Sequence, residues 1–101
     1  MHTVTTGLIV RLEANDGREA DLATFLESAL PLVAGEPETV VWLAIRASAR
    51  SFAIVDAFPD NGGRQAHLDG PVAAALLARA DELLAAPPVI EQVDVIAARL
   101  P

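Results

Sequence analysis

The chain has 101 residues, 14 acidic and 7 basic side chains for a net charge of −7, and no cysteine. That length suits one domain, 1–101. The acidic balance repels a phosphate backbone and sets nucleic acid aside as a partner. Without cysteine there is no disulfide framework, no thiol nucleophile and no thiolate metal site.

The hydrophobic share, 52%, lies above the usual ~45–50%. Either buried self-association or plain alanine richness accounts for the excess. The N-terminus lacks a basic segment followed by a long apolar core. No run approaches the ~18 apolar residues of a membrane span. A cytoplasmic protein is expected, with no membrane association.

Residues 4–14 alternate, with Leu8, Val10, Leu12 and Ala14 on one side and Ile9, Arg11 and Glu13 on the other. A period of two predicts a strand. Asn15-Asp16-Gly17 breaks it, and Asp16 with Glu19 three residues on reads as a capping box. Leu22, Phe25, Leu26, Ala29, Leu30 and Val33 then form one apolar helical stripe. Pro31 removes one backbone donor and is expected to kink the last turn; Gly35 is the expected stop.

Glu36-Pro37-Glu38 reads as a connector. Residues 39–47 are β-branched and aromatic, hence a strand, apolar on both faces. Ser48-Ala49-Arg50 predicts a short hairpin loop into a third strand over 51–58. There Phe52, Ile54, Asp56 and Phe58 share one face, and Ala53, Val55 and Ala57 the other. Residues 59–63, PDNGG, form a turn cluster. Residues 64–68 predict a short helical segment, and Gly70-Pro71 opens a longer helix with proline in its permitted first turn. Pro87-Pro88 ends that helix, and 89–98 predicts a last strand.

The order β-α-β-β-α-β is the split βαβ, ferredoxin-like arrangement: an α+β fold with a four-stranded antiparallel sheet and two helices on one face. The opposite sheet face reads as apolar and uncovered. A homodimer through that face is expected, two sheets packing together.

The stretch FAIVDAFPDNGGRQAHLDGPVAAAL, residues 52–76, resembles the antibiotic biosynthesis monooxygenase family of dimeric α+β-barrel proteins. The similar features are the aromatic and acidic strand end at Phe58 and Asp60, the helix start carrying His67, and the short gap to a second helical run. EPETVVW after the first helix is similar to the family's approach to strand two. The element order matches over nearly the whole chain. The resemblance implies a cofactor-independent monooxygenase acting on a phenolic or quinol-type aromatic, or a catalytically silent member of the same fold. It implies no cofactor and no metal. The haem-degrading branch is not matched: the first strand has no asparagine, His67 stands where a tryptophan is expected, and the iron-ligand position falls near Leu76 or Leu77.

His67 is the candidate base: an imidazole near neutral pKa takes a proton from a phenol. The alternative is a histidine bonded to a backbone carbonyl near the helix start. Asp56, among apolar neighbours, needs a partner. It either orients His67 or contacts a substrate hydroxyl, or else bonds Arg64 or a backbone amide. Asn61 and Arg64, at the turn into the helix, suit contacts to an oxyanion or dioxygen; helix capping and a solvated charge are their alternatives. Trp42, Phe52, Ile54, Phe58 and Leu76 are the expected pocket lining for a small aromatic ligand, with Trp42 equally suited to the core or a dimer interface. Arg79, interrupting the helical stripe, is expected to snorkel. His2 carries no role.

Overall fold

The computed structural model describes residues 3–101; His2 lies outside them. The elements are β1 (Thr6–Glu13), α1 (Glu19–Ala34), β2 (Val41–Arg46), β3 (Ser51–Phe58), α2 (Asn61–Leu68), α3 (Pro71–Leu83) and β4 (Val89–Asp94). The four strands form one antiparallel sheet in the order β2-β3-β1-β4. This is the expected ferredoxin-like sheet, with three helices rather than two. The expected short segment is a full helix of its own, beginning at Asn61.

Two local expectations fail. Asp16 does not cap α1. Its carboxylate pairs instead with Arg50 of the β2–β3 hairpin, and Gly17 takes a positive φ of 77° that turns the chain before Glu19. Arg18 occupies the cap position with no side-chain bond. The last strand ends at Asp94, paired with Thr6 of β1, and one further backbone bond, from the Val95 N–H to the Thr5 carbonyl at 2.9 Å, follows it. α1 runs unbroken through Pro31 to Gly35.

Alternation decides the sheet faces. Val10 and Leu12 of β1, with Phe52 and Ile54 of β3, meet Leu22, Phe25 and Leu26 of α1 and Leu76 and Leu83 of α3 in one core. Each large side chain buried there contributes about 1.5–3 kcal/mol. Arg79 does not enter the core. Its guanidinium stands 5.7 Å from the Phe25 ring centroid and pairs with Glu82.

Among the described residues, no helix lies across the other sheet face. In register, it shows Leu43, Val55 and Ile9 in one row and Ile45 beside Ala53 in the next. Leu43 and Ile45 are 54% and 46% exposed. The Arg11–Glu91 ion pair, 2.9 Å, interrupts this apolar surface toward β4.

Candidate functional site

Asp56 sits on the helix-facing side of β3, flanked in register by Leu8 of β1 and Trp42 of β2. It is 2% exposed. A carboxylate there is lost from water and must be compensated inside the fold. The compensation comes from α2. Asp60 is that helix's N-cap, its carboxylate accepting the Gly63 N–H at 3.0 Å. Eight residues of helix then carry His67 into the last turn, where the helix dipole favours a positive imidazole.

His67 is buried between two carboxylates. Nδ1 lies 2.5 Å from Glu36 Oε1, and Nε2 lies 3.0 Å from Asp56 Oδ2. The Phe58 ring packs on it at 5.5 Å between centroids, tilted by 42°. The Nδ1 contact is a short hydrogen bond. The Nε2 contact is close enough for charge pairing, yet the N–H points off the line to the oxygen, so both Asp56 oxygens stay without an aligned donor. Glu36 Oε1 also accepts the Thr39 hydroxyl at 2.8 Å.

Ionised carboxylates only accept hydrogen bonds. Two of them around one imidazole therefore favour protonation of both ring nitrogens. Burial alone lowers the His67 pKa. The close charge contact with Asp56 and the hydrogen bond to Glu36, with the two negative charges, outweigh burial and raise it above its ordinary value.

His67 separates two hollows. On the inner side is a cavity of about 100 Å³, lined by Leu8, Val10, Ile54, Asp56, His67, Val72 and Leu76, with Leu77, Pro88 and Ile90 toward its rim. On the outer side is a surface groove formed by residues 35–39 with Gly63, Ala66 and His67. Asp56 and Glu36 thus stand at opposite ends of one buried acid–imidazole–acid chain.

The expected site residues divide. Asp56, His67, Ile54 and Leu76 come together at the inner cavity. Trp42 and Phe52 instead line a separate hollow between α1 and β2, about 380 Å³, because β2 lies across the sheet from α3. Phe58 is fully buried and meets His67. Trp42 is half-buried, and its indole N–H is enclosed without a partner.

Asn61 and Arg64 bond each other at 2.9 Å, and Arg64 also donates to the Gly7 and Val93 carbonyls at 3.3 Å. They tie α2 to β1 and β4 and do not line the cavity at Asp56. Arg64 does not bond Asp56.

Glu36 is a site residue that the sequence does not single out. The sequence shows it only as part of a proline connector. Its signal is topological: in this strand order the α1–β2 and β3–α2 connections lie at the same end of the sheet. An acid in the first connection can therefore reach a histidine in the helix that follows the second.

Among the described residues, no three His, Asp or Glu side chains converge as metal ligands; here the imidazole lies between its acids. No helix among them is long and apolar enough to cross a membrane.

No protein-family model matches the chain, and no curated protein does. Solved structures do. The fold is shared with a Nitrosomonas europaea protein named "putative antibiotic biosynthesis monooxygenase" (TM-score 0.82, 10% identity, 95% of this chain and 94% of that one). A Caulobacter crescentus protein bearing the same description also shares it (TM-score 0.72, 21% identity, 93% and 92%). These likenesses define the class: the antibiotic biosynthesis monooxygenase-like α+β fold. Within it, a second Nitrosomonas europaea protein, of unknown function, is 51% identical with a TM-score of 0.97, over 100% of this chain and 98% of that one. The chain belongs to the same family as that protein.

Proposed function

We propose that the protein is a cytoplasmic, cofactor-independent monooxygenase acting on a phenolic or quinol-type small molecule in the cavity at Asp56. The observation that supports it is the buried Asp56–His67–Glu36 chain with one end at an otherwise apolar cavity. Three ionisable side chains at such a place mark a site where a proton is held or moved.

The ligand's hydroxyl donates to Asp56 Oδ1 and its proton passes to that carboxylate. The positive imidazole beside Oδ2 offsets the negative charge that builds on the ring. Electron-rich in this form, the ring carbon reacts with dioxygen. One oxygen atom enters the substrate and the other leaves as water with two hydrogens from the substrate, so the substrate supplies the electrons. His67 acts by holding charge next to Asp56, and Glu36 fixes the imidazole from behind. Asn61 and Arg64 act at a distance, by holding α2 against the sheet.

The test is oxygen uptake with a panel of quinols. Asp56→Asn should lower kcat at least about a hundredfold, the lower end of the range for a positioned acid or base. Absence of uptake with every quinol, or unchanged turnover in Asp56→Asn, overturns the reading. A catalytically silent ligand-binding protein is the second reading; the 2.5 Å Nδ1–Glu36 bond favours it, because it makes His67 a strut between two elements.

The uncovered sheet face supports a homodimer. Exposed Leu43 and Ile45 with half-buried Ile9 and Val55 form a continuous apolar surface of the kind that associates. Sedimentation should give a dimer at micromolar concentration, and Leu43→Arg should yield monomers. A monomeric parent protein refutes it.

A further inference from the structure

We infer that the cavity at Asp56 selects a neutral molecule of a single ring carrying at least one hydroxyl, and rejects both fused-ring compounds and carboxylates. This deepens the function proposed above and rests on its reading of Asp56 as the ligand's proton acceptor.

Size is the first argument. The cavity is about 100 Å³. An apolar cavity of roughly 150 Å³ takes one benzene. One ring therefore fits with a small outward movement at the rim, and a second fused ring does not. Leu77 of α3 and Ile90 of β4, 65% and 50% exposed, form that rim and mark the way in.

Polarity is the second argument. The walls are aliphatic except at Asp56 and His67. Both ring nitrogens of His67 already face carboxylates. Asp56 Oδ1 is buried with no partner at all, and Oδ2 has only the misaligned imidazole. The unmet need is for a hydrogen-bond donor, so the ligand brings an O–H.

Charge is the third argument. An imidazolium with two carboxylates carries one net negative charge. A ligand carboxylate is therefore repelled where a hydroxyl is held.

Binding is measured anaerobically by calorimetry or ligand-observed NMR, so turnover plays no part. Phenol, benzoate and 2-naphthol are compared at neutral pH. Phenol should bind, with benzoate and 2-naphthol each weaker by about tenfold or more. Leu76→Trp, which fills the cavity, should abolish phenol binding; Ile90→Trp at the rim serves if that variant fails to fold. Leu30→Trp, in the hollow between α1 and β2, should leave it unchanged.

The inference is overturned if phenol does not bind at millimolar concentration, or if 2-naphthol or benzoate binds as well as phenol. It is also overturned if Leu30→Trp rather than the cavity variants removes binding. Phenol binding without oxygen uptake by any quinol refutes the oxygenase and leaves the size and charge selection standing. Oxygenation of fused-ring quinols with no phenol binding does the reverse.

Discussion

His67→Gln tests the charge state of the buried chain most directly. Glutamine keeps a donor of similar length and removes the positive charge. The Asp56 side chain is wholly enclosed, so it cannot turn to water when its partner goes. Glu36, with 15% side-chain exposure, can partly do so. Removing one partner of a buried ion pair costs about 3–5 kcal/mol, because an uncompensated charge is left behind. Domains of this kind are stable by only about 5–15 kcal/mol, so about a fifth or more of the total is at stake.

Urea unfolding reads it. With a slope of about 1–3 kcal/mol per molar, the midpoint should fall by about 2 M. Protein concentration is held fixed, since any association adds to apparent stability. The double variant His67→Gln with Asp56→Asn should recover a large part of the loss, because the stranded charge is gone. If His67→Gln unfolds within about 1 kcal/mol of the parent, the imidazole is not a charged partner of Asp56. The reasoning about the cavity then fails with it.

Stability should also depend on pH in a stated direction. The folded His67 pKa is raised above its ordinary value, so its contribution is complete below about pH 6.5 and declines as pH climbs through the folded value. The urea midpoints of parent and His67→Gln should therefore converge as pH rises above about 6.5; a gap that widens refutes the assignment. Gly7→Ala should destabilise by about 1–3 kcal/mol in thermal unfolding. Its Cβ would stand 2.8 Å from the Asp56 carbonyl oxygen, which β-pairing holds in place. Asp60→Ala should cost about 1 kcal/mol, seen as faster amide hydrogen exchange in α2 than elsewhere; uniform exchange would show that the cap does not govern that helix.

The elements legible in the sequence are those with a clear period. Leu8 to Ala14 and Leu22 to Val33 declare their buried faces by spacing, and both are buried as expected except Leu30, which is exposed at the hollow between α1 and β2. The inward direction of Asp56 follows from its place between Ile54 and Phe58. The start of α2 was hidden by Gly62-Gly63, since glycine is a poor helix former. Space at Gly63 is tight, since a Cβ would stand 3.1 Å from the Glu38 Cβ and 3.4 Å from the Phe58 Cβ. Asp16 misled because a capping residue and a salt-bridge partner look alike until Arg50 is brought across from 34 residues away. Glu36 was illegible for a similar reason, its bond to His67 spanning 31 residues. Long-range polar contacts carry no period, and that is where the reading of the site was incomplete.

The Asp56–His67–Glu36 chain is hard to explain by stability alone. Apolar side chains of similar volume commonly replace buried ion pairs with no loss, and often with a gain of about 1–4 kcal/mol. The surroundings here would accept them: Leu8, Ile54, Val72 and Leu76 already make an aliphatic wall. A leucine at 56 with an aromatic residue at 67 would close that wall. The arrangement instead leaves Asp56 without an aligned donor while the positive group that steadies it is clamped from the far side by Glu36. A purely structural ion pair would be expected to align its hydrogen bonds, since alignment is what offsets the loss of water. A buried, incompletely bonded carboxylate is suited to accept one more hydrogen bond, and the inner cavity that Asp56 helps to line is the space from which a ligand can supply it.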